Sequence, residues 1–569
     1  MNASDMSQFS TPLIVLLLVI FYGGTFWVSL RIGKKQENAD GYMTAGNNLG
    51  FGISAASMTA TWIWAASMYA SATSGYTYGI SGPIHYGLWG ALMILFIYPF
   101  GKRIRAVAPR AHTLAEVMRV RHGRSSQLML VASNIVGSII SLTSNFLAGG
   151  VLIALLSPFT FTQGVFIVAL GILLYSLWSG FRAAVLTDLV QVIALLGAVV
   201  VVIPTIFLAA GFPAAFETGA RHLTPEQGSF FSSEAFLSQG APYIAAVLAY
   251  AIGNQTIAQR LFAVRESLIK PTFVTATIGY GATVIGVGMF GVLALYLGVE
   301  PLNGDPNNLI PQMAASYLPL IVLVLFFIMV IGALSSTADS DLAALASIVM
   351  TDIYGQNIAG KDDADPRIML LIGRITMILA TAAGLAFASM RLNILDLLVF
   401  VGALWGALVF PVIASFYWGK VTNAAFVTGV VAALAAFIPV RFSWISMDGV
   451  VGYAVDVLSV VGIGVVLGLM VFGFVGLRPA LVVGSAASVV AAPLAIGFLH
   501  DHATLSGSLV AYAVSTVVCF AMSFRSSQDF DFASIANRTG DFDAEGVLAQ
   551  TAGRPVSDDV DPIEEGALR

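Results

Sequence analysis

The chain has 569 residues, 58% of them hydrophobic and only 10% charged, with a formal net charge of −5. Soluble domains carry about 25% charged residues, so lipid is the main solvent here and a soluble enzyme or a nucleic-acid-binding protein is excluded. One cysteine, Cys519, leaves no intramolecular disulfide to form.

Taken in chain order, the apolar runs predict fifteen membrane-spanning helices. They lie at about 12–32, 48–76, 83–103, 126–157, 162–180, 183–210, 241–262, 272–298, 314–350, 367–390, 394–418, 421–440, 450–476, 479–499 and 503–524. The first run follows "MNASDMSQFS", which has no cationic start, and ends in "RIGKK" with no small-residue cleavage site, so it reads as a retained helix. Runs two and four are rich in Gly, Ser and Thr, as interior helices are. With the N-terminus outside, inner connections hold 20 Lys and Arg and outer ones hold Arg221, Arg391 and Arg441 alone. That asymmetry fits the positive-inside rule and puts the C-terminus in the cytoplasm. The inner connection "RAVAPRAHTLAEVMRVRHGR" reads as a short amphipathic helix whose basic face meets anionic lipid or phosphate. The tail after residue 525 is acidic and poor in apolar residues, and is predicted to be disordered.

Four stretches place polar groups inside apolar runs. In "SSTADSD", Ala333, Ser336, Thr337 and Ser340 share one helix face, with Asp339 and Asp341 to either side. A lone hydroxyl in such a helix bonds back to its own backbone, whereas a stripe of them lines something wet or ionic. The two aspartates read equally well as inner-surface residues paired with loop arginines. In "TATWIWAASMYASATSGYTYG" the uncharged residues Ala60 to Trp64 fall near mid-membrane, where a helix break would free carbonyls for a hard cation. In "RAAVLTDLVQ", Asp188 is an intramembrane carboxylate beside Thr187. In "AYAIGNQTIAQRLFA", Gly253 is a weak point next to Tyr250, Asn254 and Gln255.

Together these stretches resemble the sodium:solute symporter family over about residues 10–480. The most specific marks are Ser336-Thr337 followed by "TDIYG", with "TDLVQ" and "NQTIAQR" in support. The resemblance implies an all-α integral membrane protein of the leucine-transporter type. Five helices repeat as five more with inverted topology, after one extra N-terminal helix and before extra C-terminal ones. The implied segments are 1–47, a first repeat 48–210, an outer loop 211–240, a second repeat 241–420, added helices 421–524 and the tail 525–569.

The family's sodium site carries over to the carbonyls of Ala60, Ile63 and Ala333 and the hydroxyls of Ser336 and Thr337, with Asp188 associated and Asp339 on the release side. Within the family, the Trp-rich second run, "YGISGP" and "APRAHTLAE" resemble the urea-transporting branch of fungi and plants. This implies a symporter that uses Na+, with H+ as the alternative coupling ion, and no organic cofactor. A small, planar, neutral solute needs aromatic faces with hydrogen-bond donors and acceptors. Trp62, Trp64, His85, Tyr86, Tyr250, Asn254, Gln255 and Trp405 carry that chemistry. The rivals are symport of a short-chain carboxylate or amino acid, a solute sensor, and a passive channel. No phosphate-binding loop, zinc-spaced cluster or nucleophile elbow is present. The expected partners are the solute and membrane lipid, with no nucleic acid, and the chain is expected to act as a monomer.

Overall fold

The computed structural model describes residues 8–33, 39–360, 363–527 and 529–540, and among them the architecture is all helical. The first span, α1 (Thr11–Arg31), precedes a helix broken in two, α2 (Phe51–Trp62) and α3 (Ala65–Tyr78). Next come α4 (Ser81–Val107), the short α5 (Leu114–His122), α6 (Arg124–Leu156) and α7 (Phe161–Ala209). A second broken helix, α8 (Ala241–Gly253) and α9 (Gln255–Ala263), opens the next group. It continues with α10 (Ile269–Tyr296), α11 (Leu320–Ile348) running on through the π-helical turns Val349–Ile358, α12 (Pro366–Ala388) and α13 (Ile394–Tyr417). The chain closes with α14 (Asn423–Arg441), α15 (Val450–Val475), α16 (Leu477–Ala495), α17 (Ala503–Phe524) and the short α18 (Ala533–Arg538).

Among the described residues twelve helices are long and apolar enough to cross a membrane, or up to thirteen when α8 and α9 count as one span bent by 49°. The fifteen expected spans include two more. One is Phe161–Leu177, a shorter apolar helix. The other is the α2–α3 pair, whose Ser, Thr and Gly content lowers its hydropathy because nearly all of it is buried by protein. Expected spans five and six are the two halves of α7, which bends at Gly180, whose φ is 53°. That left-handed backbone is open to glycine at little cost, and the Tyr42 ring packs against the vacant Cβ position.

Helices α2, α3, α4, α8, α9 and α10 pack on one another, and α6, α7, α11 and α12 form a second group against which α2 and α9 lie. Lipid faces the outer surfaces: on the second half of α7, Val190, Ile193, Val200 and Leu208 are 64–72% exposed.

Two local expectations change. Helix α5 starts at Thr113, whose hydroxyl accepts from Glu116 N–H at 2.9 Å, and ends at Gly123 with φ 115°. It is not a lipid-facing helix: Glu116 is wholly buried and Arg121 is 5% exposed. Arg121 donates to the carbonyls of Ser415, Trp418 and Gly419 at the C-terminal end of α13. A guanidinium satisfied by three carbonyls has no need of lipid phosphate. Nor is all of the tail unstructured. The first part folds back so that α18 packs on α4 and α5, with Phe530 against the Arg121 guanidinium at 4.3 Å and Phe532 against Arg103 at 5.4 Å. The acidic remainder, 541–569, lies outside the described residues.

Candidate functional site

The break between α2 and α3 sits at Ile63 and Trp64, which leave helical backbone angles. In a continuous helix Trp64 N–H would bond the Ala60 carbonyl, and Ser67 N–H the Ile63 carbonyl. Here they bond Trp62 O and Trp64 O instead, which releases the Ala60 and Ile63 carbonyls from the helix ladder. Helix α11 crosses this break. Thr337 Oγ1 donates to the Thr61 carbonyl at 3.1 Å and to its own Ala333 carbonyl at 3.2 Å. Ser336 Oγ donates to Asp188 Oδ1 at 2.5 Å. Ala60, Ile63, Ala333, Ser336, Thr337 and Asp188 are each at most 1% exposed, and the structure gathers the side-chain members of this set at the break.

A residue that the sequence suggests only as an inner-loop cation completes the cluster. Arg260 of α9 is 4% exposed and pairs with Asp188 Oδ2 at 2.9 Å. Its guanidinium also donates to Ser57 Oγ at 2.9 Å and Ser340 Oγ at 2.7 Å. Asp188 Oδ2 further accepts from Ser57 at 2.6 Å and from Thr61 at 3.4 Å. The signal available in sequence was Asp188 itself: a carboxylate in the membrane interior calls for a cation, and Arg260 lies in a segment already marked as broken. Asp339 is 2% exposed and accepts from Tyr175 Oη at 2.9 Å. Asp341, 1% exposed, accepts from Ser141 Oγ at 2.5 Å. Neither is an inner-surface aspartate paired with a loop arginine, because both lie on buried faces of α11.

Beside the break a cavity with about 280 Å³ of empty space is lined by Trp62, Trp64, Ser67, Tyr86, Met93, Tyr243, Tyr250, Tyr280 and Leu398. The rings form an edge-packed box: Trp62 to Trp64 at 6.4 Å, Trp62 to Tyr250 at 6.4 Å, Trp64 to Tyr250 at 6.1 Å and Tyr86 to Tyr243 at 4.7 Å between centroids. Trp62 spends its indole N–H on the Gly90 carbonyl at 3.1 Å, and Tyr250 its hydroxyl on Leu398 O at 2.5 Å. Those two present ring faces. Ser67, Tyr86, Tyr243 and Tyr280 supply the hydroxyls, each both donor and acceptor, and no lining residue is charged.

Of the eight residues expected at a solute site, Trp62, Trp64, Tyr86 and Tyr250 line this cavity. The other four lie elsewhere. Trp405 backs Tyr250 at 5.1 Å and donates to Ser133 O at 3.3 Å. Asn254 caps α9, its Oδ1 accepting from Thr256 N–H at 2.8 Å. Gln255 ties the α8–α9 break to the start of α5, donating to His112 O at 2.9 Å and accepting from Leu114 N–H at 3.2 Å. His85 sits against Phe231 and Phe236 of the segment before α8. Ser67, Met93, Tyr243, Tyr280 and Leu398 were not singled out by sequence. They come from five separate helices, and only the fold brings them together.

A family model described as the sodium:solute symporter family matches residues 42–432. The urea-proton symporter DUR3 of Oryza sativa subsp. japonica is 22% identical over 456 residues, which cover 73% of this chain and 62% of that one; the match thus spans less than two thirds of this relative's length. The sodium/pantothenate symporter of Escherichia coli (strain K12) is 26% identical over 450 residues, covering 76% and 91%. Among solved structures, a substrate-bound outward-open Na+-coupled sialic acid symporter superposes with a TM-score of 0.63 at 17% identity, covering 84% of this chain and 97% of that one. At that identity the likeness establishes the fold, which is that of the leucine-transporter type.

Proposed function

The chain belongs to the sodium:solute symporter family, and we propose that it is a cation-coupled symporter of a small neutral polar solute, with urea as the solute. The observation that carries this reading is the juxtaposition of a broken helix, crossed by Thr337 at 3.1 Å, with an uncharged aromatic cavity. Freed carbonyls and hydroxyls suit a hard monovalent cation, while ring faces and hydroxyls suit a planar amide.

The cation is sodium, held by the carbonyls of Ala60, Ile63 and Ala333 and the hydroxyls of Ser336 and Thr337, with Asp188 supplying the local negative charge. Binding there ties α2 to α11, so the ion favours the conformation in which those helices are joined. That differential affinity is the coupling. Solute then fills the box formed by Trp62, Trp64, Tyr86, Tyr243, Tyr250 and Tyr280. As the α2–α4 and α8–α10 group rocks against α6, α7, α11 and α12, the inner side opens. Arg260 takes up the charge of Asp188 as the ion leaves. Residues 48–210 and 241–420 are the two inverted repeats, each opening with a broken helix, and the N-terminus faces outward.

A carboxylate solute such as pantothenate or an amino acid is the second reading, since such transporters also match the chain. The uncharged lining weighs against it, because a buried carboxylate needs a cation or several N–H donors. The test is uptake of labelled urea by proteoliposomes under an inward sodium gradient, under a pH gradient alone, and with neither. It is run for the wild type and for the double variant Ser336→Ala/Thr337→Ala. Sodium-driven accumulation that the double variant loses supports both the symport and the ion site. Absence of urea uptake under every gradient overturns the solute assignment, and proline or pantothenate uptake by the same vesicles would replace it.

A further inference from the structure

Asp341 has no part in the sites above. It lies one residue beyond Ser340 on α11, yet its carboxyl turns away from α2 and α9 and toward α6. It is 1% exposed. Oδ2 accepts from Ser141 Oγ at 2.5 Å, and Ser138, one turn away, faces the same carboxyl. Oδ1 has no hydrogen-bond partner among the described residues, and neither does Oδ1 of Asn145, whose Nδ2 is committed to Ser141 O at 2.9 Å. Asp341 Oδ1 and Asn145 Oδ1 are thus two buried acceptors without a hydrogen-bond partner among the described residues.

The charged groups nearby are already engaged. Arg260 of α9 is the charged residue whose field reaches Asp341, but its guanidinium is spent on Asp188, Ser57 and Ser340. On the neighbouring face of α11, Asp188 and Tyr175 of α7 meet Ser336 and Asp339. Arg374 of α12 donates to Leu177 O. No ion pair to Asp341 occurs among the described residues. Helix α6 offers it hydroxyls alone.

An ionised carboxylate buried without a cation is too costly to persist, so it must acquire one positive charge. Asp188 obtains that charge from Arg260. A desolvated metal cation at Asp341 would need several oxygens around it, whereas a proton needs one atom, and on that atom it turns an unpaired acceptor into a hydrogen-bond donor.

We propose that Asp341 is a proton-binding site of the transport cycle. The proton comes from water on the outer side when the cycle exposes the α6–α11 seam. It forms one O–H bond at the free oxygen, crosses with the carboxyl neutral, and returns to water on the inner side. This rests on the symporter reading and deepens it: one charge crosses as H+ at a place separate from the Ser336–Thr337 site, so proton and sodium need not compete.

The test uses the full chain in two ways. Infrared difference spectra of the purified protein across a pH titration should show the carbonyl band of a protonated carboxyl in the wild type. That band should be missing in Asp341→Asn and displaced but present in Asp341→Glu. In proteoliposomes, Asp341→Asn should lose accumulation driven by a pH gradient, and its remaining solute exchange should no longer vary with pH. A band that survives unchanged in Asp341→Asn overturns the proposal. So does retained pH-driven accumulation, or a wild-type band abolished by sodium but not potassium, which would make this a metal site. Should Asp341→Asn fail to fold, the displaced band of Asp341→Glu decides alone. The infrared titration needs no solute, so it stands even if urea proves to be the wrong substrate.

Discussion

Arg260 offers the sharpest test of how the ion cluster is built. Replacing it by Gln removes the cation from Asp188, which stays wholly buried. Breaking a buried pair by deleting one partner costs about 3–5 kcal/mol. Three hydroxyls remain on the carboxylate, from Ser57 at 2.6 Å, Ser336 at 2.5 Å and Thr61 at 3.4 Å. The first two are short and well placed, which puts the expected loss near the lower end, about 3 kcal/mol. If a sodium ion shares this cluster, the variant should bind it more tightly, since the carboxylate then lacks any other counter-charge. A ligand at about 100 times its Kd restores about 2.7 kcal/mol, so saturating sodium should return most of the stability. The assay is thermal unfolding of the detergent-purified chain in sodium chloride against potassium chloride, with Asp188→Asn and the double variant completing a cycle. Equal destabilisation in the two salts would refute cation exchange between Arg260 and the ion. A loss below about 1 kcal/mol would show that water reaches the pair, as at a surface.

Four further outcomes follow. Tyr280→Phe keeps the ring beside Trp62 at 6.5 Å but deletes one cavity hydroxyl; losing about 0.5–1.5 kcal/mol should raise KM for urea up to about tenfold, and an unchanged KM removes Tyr280 from the solute site. In Gly291→Ala the new methyl would run into the Ala72 carbonyl, forcing α10 off α3, so folded yield should fall by an amount matching about 1–3 kcal/mol; wild-type yield would contradict this close approach. His500 bonds Asp456 at 3.0 Å, and that hydrogen bond, set against a smaller opposing effect of burial, holds its pKa above the usual value. Its contribution is therefore complete below about pH 6.5 and fades as pH rises through the raised value, so amide protection of the 496–502 turn, taken against the intrinsic exchange rate at each pH, should fall through that window, and His500→Gln should remove that extra loss. Phe530→Ala with Phe532→Ala removes ring–guanidinium contacts worth about 0.5–2 kcal/mol each and should expose residues 525–540 to limited proteolysis; unchanged cleavage would mean that other contacts hold the segment.

Hydropathy alone located the helices, because a spanning segment is a local property of about 20 residues. Breaks were legible unevenly. Gly253 marked the α8–α9 break, whereas the α2–α3 break falls in "TWIWAAS", with neither Gly nor Pro to announce it. The Asp188–Ser336–Thr337 cluster was largely readable because each of these residues stands out against an apolar helix. Their partners were not readable: Tyr175 reaches Asp339 across 164 residues and Ser141 reaches Asp341 across 200. The solute cavity was half readable for a similar reason. Residue type tells that Trp405 or Gln255 has the right chemistry, but the facing of a side chain depends on the neighbouring helix. Asn254 is the exception, since an Asn ahead of "QTIAQR" is a local capping signal that competes with a ligand role.

The surroundings of α5 show how a charged connection came to be buried. Asp352, in the turns after α11, accepts from Thr113 at 2.8 Å and from Gln127 at 2.8 Å. Gln255, at the start of α9, reaches His112 O at 2.9 Å, and Arg121 reaches the end of α13. Helix α5 and the residues just before it thus join three elements, and they join them by hydrogen bonds between polar groups. Such bonds contribute only about 0.5–1.5 kcal/mol each when water can replace them. A greasy seal of similar extent would hold by about 25 cal/mol for every Å² covered, with nothing to offset that on opening. Two conformations that differ by a few kcal/mol can be switched by one ion and one solute. Polar contacts of this kind around α5 fit such a small difference, and they give the buried Glu116, Arg121 and Asp352 their partners.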